Sequence, residues 1–213
     1  VVVNVAGPHS AVINRMAGVE AEMGVRTRPL RQEVAYLPAP QGADFVEHPL
    51  ICADGDVGCY WRSDVGNKLL IGGLEPACDP LEWVDPDDWN PDLTEQWTAQ
   101  VYRAALRMPT LPIPSQAQGI AALYDVSDDW IPIYDRTSLQ GYYMAVGTSG
   151  NQFKNAPLVG VLMAELIEAC ERGHDHDREP LRLQGRFTGL ELDMGFFSRL
   201  RQVNRDSSFS VLG

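Results

Sequence analysis

The chain has 213 residues, 45% of them hydrophobic, and a formal net charge of −12. That apolar fraction argues against a disordered chain, and the length suffices for one large domain or parts of two. The acidic balance argues against nucleic acid and anionic membranes as partners, and no run reaches the roughly 18–20 apolar residues of a membrane helix.

Val1–Ala6 is apolar but has neither a basic leader nor a cleavage pattern, so the expectation is a buried core strand rather than a signal peptide. Ala6-Gly7-Pro8 ends it, and Ser10 can cap a short helix with Ala11, Ile13, Met16 and Ala17 inward, stopped at Gly18 or Gly24. Pro29 to Leu37 alternates as a strand and is closed by Pro38-Ala39-Pro40-Gln41-Gly42. Leu50–Ala53, Val57–Arg62 and Lys68–Gly72 read as three short strands of an antiparallel meander, with turns at Asp54-Gly55-Asp56 and Asp64-Val65-Gly66-Asn67.

Between Glu75 and Glu95 lie eight acidic residues and no basic ones, expected to be a solvated loop and helix start. Asn90 is a good N-cap and Pro91 suits a first helical position, so the next helix is expected from there, with Leu93, Trp97, Val101 and Ala104 or Ala105 as its stripe. Ile120–Val126 and Trp130–Tyr134 read as strands around the acidic turn Ser127-Asp128-Asp129, where Asp129 is expected to shape the turn. Trp61, Trp97 and Trp130 are expected to be core and interface bulk.

Residues 141–167 then run as a buried strand, a glycine-rich loop and a helix without interruption. Pro157 falls in the first turn, Leu158, Leu162, Met163, Leu166, Ile167 and Cys170 are predicted inward, and Gly173 is a stop. Such a junction presents free backbone N–H groups at a positive helix end and therefore suits an anion. Residues 174–185 read as a polar linker, with His174 and His176 at a solvated helix end lacking enough nearby ligands for a metal. Four widely spaced cysteines with no C-x-x-C pair suggest free thiols and a reducing, cytoplasmic compartment. Many strands with few helices predict an α+β fold, a mixed and largely antiparallel sheet with flanking helices.

Four of these segments, in order, resemble the D-amino-acid-oxidase-like flavin oxidoreductases, the group of glycine oxidase, sarcosine oxidase and dimethylglycine dehydrogenase. Val2 to Ser10 resembles the family's Asn-x-Ala-Gly-Pro-x-Ser strand end. Val57 to Arg62 with Leu69 to Gly73 resembles its hairpin over the substrate, Tyr124 to Pro132 its Tyr-x-x-Thr-Pro-Asp-x-x-Pro stretch, and Gly147 to Pro157 its C-terminal flavin loop. The resemblance spans residues 1 to about 170.

It implies noncatalytic pieces and catalytic ones alike. Residues 1–24 and 141–173 would belong to the FAD-binding lobe, 25–140 to the substrate-binding lobe, and 174–213 to a C-terminal extension. The implied reaction oxidises the C–N bond of an amino acid or N-methyl amino acid by hydride transfer to flavin N5, leaving an imine that water hydrolyses. Tyr60, Arg62 and Tyr124 would meet the substrate carboxylate. Ala6, Gly7, Gly147, Thr148, Ser149, Gly150, Asn151, Gln152, Phe153 and Lys154 would hold FAD, with the N–H groups of Gly150 to Phe153 and Lys154 facing negative charge near N1 and C2=O.

Three departures accompany the resemblance. The family's Gly-x-Gly-x-x-Gly fingerprint is missing, so the chain is expected to be the C-terminal part of a longer enzyme, to be inactive alone, to bind FAD weakly or not at all, and to self-associate through apolar residues such as Val1–Val5. Ala122 stands where sarcosine-oxidase-like members carry a flavin-bonding cysteine, so flavin should be noncovalent. Asn151-Gln152 stands where many members have His-Gly, which is expected to alter the pocket. The alternative is a noncatalytic structural or interaction module that has kept the fold and lost FAD.

Overall fold

A computed structural model describes residues 1–212. In chain order the elements are β1 (Val2–Asn4), α1 (Ser10–Met16), β2 (Thr27–Pro38), β3 (Ile51–Asp54), β4 (Cys59–Asp64), β5 (Lys68–Gly73), β6 (Glu82–Trp83), α2 (Glu95–Ala105), β7 (Gly119–Ser127), β8 (Ile133–Arg136), β9 (Tyr142–Val146), α3 (Ala156–Glu171), β10 (Arg182–Gln184) and β11 (Glu191–Asp193). This is the mixed, largely antiparallel α+β architecture expected from the order of strands and helices. The chain forms two compact units, residues 1–29 with 124–213 and residues 30–123, and passes between them along β2 and β7.

In the first unit β9 is the central strand, parallel to β1 and antiparallel to β8. Its period of two sorts its side chains between two cores. Tyr142, Met144 and Val146 pack with Val19, Val25 and Ile133, whereas Tyr143 packs with Leu162, Met163 and Leu166 of α3. The inward face of α1 is mixed: Ile13 and Ala17 pack on the first of these cores as expected, beside buried Ser10 and Asn14. Buried Asn14 accepts from the Tyr142 hydroxyl at 2.9 Å and from Asn4 at 2.8 Å, while Met16, expected inside, is exposed. Val1, Val2 and Val5 are also exposed, so β1 is not the buried strand that its composition predicts. A three-residue strand paired along one side leaves those valines without a covering layer. Leu158 of α3 is likewise exposed, because the packed stripe of that helix runs from Val159 through Leu162, Met163 and Leu166.

The expected polar linker is instead built into this unit. His176 is buried, and its Nδ1 accepts the Leu181 N–H at 3.0 Å. Burial holds the His176 pKa below its ordinary value, which keeps the ring neutral. Arg199 is buried too and pairs with Asp135 at 3.1 Å, Asp177 at 2.7 Å and Glu22 at 3.2 Å. The Arg199 carbonyl accepts the Gly24 N–H at 2.7 Å, so one residue ties three distant segments together. Asp129 shapes the turn as expected, accepting the Ile131 N–H at 3.2 Å, and it also receives Arg201 at 2.8 Å. Trp130 follows with φ of +62° and lies in that turn rather than in a strand; β8 begins at Ile133.

The second unit is a sheet in the order β3-β4-β5-β2-β6, with β7 also paired to β2. Trp97, Val101 and Ala104 of α2 cover Ala35, Leu37, Trp61, Leu69 and Ile71. The helix starts at Glu95, not near Asn90, with the Thr94 side chain as its cap, accepting the Gln96 N–H at 3.3 Å. The reason is a buried ion pair. Arg31 meets Glu33 at 2.8 Å and donates to the carbonyls of Asn90, at 2.6 Å, and Asp92. Glu33 accepts the Thr94 hydroxyl at 2.7 Å, so residues 90–94 are bound to β2 and cannot wind into the helix. The acidic run is correspondingly less solvated than expected, since Glu82 pairs with Arg31 and Asp79 with Arg103.

Replacing Arg199 by Met should lower the stability of the protein in urea titrations by about 3 kcal/mol, because it strands the buried Asp135 carboxylate. Arg199 hydrogen bonding holds the Asp177 carboxyl below its usual range. That contribution is therefore present at neutral pH and lost as pH falls through the carboxylate range, and the variant should lose that part of the acid dependence.

Candidate functional site

The site grows from the end of β9. Gly147, Ser149 and Gly150 have φ of +71°, +46° and +76°, so the chain reverses through a nearly continuous left-handed turn. Glycine is required twice for space as well as for φ. A Cβ at Gly147 would lie 3.1 Å from that of Ser127, and one at Gly150 would lie 2.5 Å from Cε2 of the Tyr124 ring. Ser149 adopts the same region with a side chain, at a cost of about 1 kcal/mol. It is fully buried, accepts the Ser127 N–H at 3.4 Å and donates to the Gly147 carbonyl at 3.2 Å.

Asp125 of β7 grips this turn from below. Its carboxylate oxygen accepts the Gly147 N–H at 2.6 Å, and its main-chain carbonyl accepts the Ser149 N–H at 2.8 Å. Burial pushes the Asp125 carboxyl up to about 6, against smaller opposing effects of the Gly147 amide and the Thr27 and Ser10 hydroxyls. Asp125 is a site residue that no motif marks. A lone carboxylate inside the otherwise apolar run Ile120–Val126 was the available signal.

Beyond the turn, a single 3₁₀ turn, Phe153–Asn155, runs directly into α3. Asn155 makes no side-chain cap there. Among the described residues, the N–H groups of Gly150, Gln152 and Phe153 reach no protein acceptor. These amides and the uncapped helix end form a cradle for negative charge. A cleft of about 460 Å³ opens on it, bordered by Val5, Thr148, Gly150, Phe153 and Ala156. The unpaired amides fit an anionic ligand edge lying against backbone.

The side chains of the loop are largely turned onto the loop itself. Gln152 accepts from the Tyr134 hydroxyl and from Asn155, each at 2.9 Å, and it donates to Asn151. Lys154 donates to the Asn151 carbonyl at 2.9 Å. At the end of β1, the Ala6 N–H is held by the Asn4 side chain at 3.1 Å, and Gly7 has φ of +56° with open space where a Cβ would sit.

The three proposed substrate residues fall in different units. Tyr124, half-buried, stands in the first unit with its ring against Gly150. Tyr60 and Arg62 share a face of β4 in the second, opposite the face that puts Cys59 and Trp61 into the core. The ring of Tyr60 lies over Gly72, where a Cβ would be 2.4 Å from its hydroxyl. Arg62 is exposed and meets Asp64 at 3.6 Å. Among the described residues no group of three or more His, Cys, Asp or Glu side chains could hold a metal, and no helix is long and apolar enough to cross a membrane.

Residues 1–166 match the family described as FAD dependent oxidoreductase, and the chain belongs to it. FAD-dependent oxidoreductase domain-containing protein 1 of Bos taurus is 26% identical over 215 residues, covering 93% of this chain and 39% of that protein. Its counterpart in Mus musculus is 24% identical, covering 100% of this chain and 41% of that protein. The chain thus spans about two fifths of the length of these curated relatives. The fold is shared with L-proline dehydrogenase from P. horikoshii, at a TM-score of 0.66 and 20% identity over 94% of this chain and 46% of that one. Glycine oxidase from Geobacillus kaustophilus gives a TM-score of 0.59 and 19% identity over 83% and 43%.

Gly150→Ala should cost more than about 1 kcal/mol, from φ strain together with the clash against Tyr124. Thermal unfolding of the single variant and of the Gly150→Ala/Tyr124→Ala pair checks it. The pair should fall short of the sum of the two single losses, since removing the ring relieves the clash.

Proposed function

We propose that the chain forms the substrate-side and flavin-capping portion of an FAD-dependent oxidoreductase that oxidises the C–N bond of a small amino acid or N-methyl amino acid. The observation that carries this reading is the left-handed turn at 147–150 with its unpaired amides and the uncapped start of α3. The amides of Gly150, Gln152 and Phe153 would hold the negatively charged edge of the isoalloxazine, and Ala6 and Gly7 would let backbone approach the rest of the cofactor. Thr148 borders the cleft, while Gly147, Ser149, Asn151 and Lys154 fix the turn that shapes it. When bound, FAD supplies the hydride acceptor.

The chain's own part is to place the substrate. Tyr60, Tyr124 and Arg62 are the groups assigned to an amino-acid carboxylate, Arg62 because a guanidinium matches a carboxylate through two parallel hydrogen bonds. Its weak tie to Asp64 leaves it able to turn to a ligand. Ala122 offers no nucleophile, which supports a noncovalent cofactor. All four cysteines are unpaired, in keeping with a reducing, cytoplasmic setting.

The test is FAD titration of this chain and of the natural polypeptide that carries it, followed by anaerobic addition of sarcosine, glycine, proline and D-amino acids. The natural polypeptide should bind FAD that acid precipitation releases, and one of these amines should bleach its visible band. The chain alone should bind it weakly. A natural polypeptide that binds no flavin would overturn the reading in favour of a noncatalytic module. Within the active protein, Arg62→Met should raise KM for an amino-acid substrate about tenfold or more, the loss of a charge-assisted hydrogen bond.

A further inference from the structure

The carboxyl of Asp125 is buried without a cation. What faces it is the Ser10 hydroxyl from α1, the Thr27 hydroxyl from β2 and the Gly147 amide from the turn, and no lysine, arginine, histidine or second carboxylate contributes. The neutral form suits these surroundings. Burying an unpaired carboxylate is costly, whereas a protonated carboxyl accepts from the Gly147 amide and still has a proton to donate. The fully buried Ser10 hydroxyl faces that carboxyl, and a hydroxyl can accept its proton as well as donate to it. The residue also lies at the root of the ligand turn, since its side chain and main chain hold Gly147 and Ser149.

We propose that Asp125 is a proton-carrying positioning residue: its neutral carboxyl closes the 147–150 turn, so that binding of a negatively charged ligand edge at the turn is linked to the uptake of a proton. The direction follows from the charge. Ionisation puts an uncompensated negative charge beneath the amides that hold an anion, and it favours any opening of the turn that lets water reach the carboxylate. Burial raises the carboxyl from an ordinary 3.8 to about 6. The closing effect is therefore complete below the ordinary value and lost as pH rises through the folded one. A bound anion moves that loss to higher pH.

The identity of the ligand as FAD rests on the function proposed above, so the test has an arm that needs no ligand. Amide hydrogen exchange is followed at Gly147 and Ser149, with rates divided by the intrinsic rate at each pH. In the wild-type protein this ratio should rise about tenfold or more from pH 4 to pH 7. In Asp125→Asn, whose amide keeps an acceptor for Gly147 and a donor for Ser10, it should stay flat. An equal rise in both proteins would overturn the proposal. If the variant fails to fold, the carboxyl carbon shift of Asp125 in the wild-type protein decides, and titration at an ordinary aspartate value overturns it. The second arm measures FAD affinity of the natural polypeptide, which should weaken about tenfold from pH 6 to pH 8 in the wild type and stay level in Asp125→Asn. Affinity that falls equally in both would also overturn the proposal. Absence of FAD binding at every pH would sink the function proposed above, and the exchange arm would then decide the role of Asp125 by itself.

Discussion

The turn that follows β9 is held by β7, and the cleft-facing part of the first unit depends on that grip. Three of the four residues Gly147 to Gly150 are left-handed, one of them a serine, and such a run does not persist on local preference. Asp125 supplies an acceptor at each end of the strained stretch, and Tyr124, its neighbour, lays its ring where a side chain at Gly150 would be. Adjacent residues of one strand thus fix the turn in two ways, one by hydrogen bonding and one by shape. The consequence reaches further than the turn. Where the turn ends decides where the 3₁₀ segment and α3 begin, and so where the unpaired amides point.

Buried charge does related work in each unit. Arg31–Glu33 holds residues 90–94 against β2, and Arg199 draws Asp135, Asp177 and Glu22 together. Ion pairs of this kind gain little net stability over apolar packing, because desolvation offsets most of the attraction. What they provide here is placement. Irregular chain cannot be located by a repeating apolar stripe, and in both units a guanidinium with several acceptors serves that purpose instead.

The same contrast explains what could be read from the residues and what could not. The alternation of β2, β4 and β5 and the i, i+4 stripe of α2 are local patterns, and those elements form where the patterns lie. The segments carrying the family resemblance were legible because each packs several constrained residues into a short stretch, and the match over residues 1–166 covers them. The start of α2 was not legible. Asn90-Pro91 is a sound local start signal, but Arg31 claims the Asn90 carbonyl from 59 residues away. Residues 174–185 look like a linker because their charge is local, while the partners that bury His176 and neutralise Asp177 are not. Asp125 was missed for a similar reason: its meaning depends on a turn 22 residues later.

The pair Asn151-Gln152 shows how a departure from a family pattern can leave the backbone of a site intact. Long polar side chains at these positions would be expected to intrude on the cleft. Gln152 instead takes hydrogen bonds from Tyr134 and Asn155, and Asn151 receives Gln152 on its side chain and Lys154 on its carbonyl. The Gln152 amide is satisfied by these contacts, whereas Asn151 Nδ2 is buried with no hydrogen-bond partner among the described residues, and the side chain that the loop turns outward is Phe153. Backbone amides recognise charge and flatness and are indifferent to the rest of a ligand. The difference at 151–152 therefore changes how the turn is braced, while the amides of Gly150, Gln152 and Phe153 still meet no acceptor among the described residues.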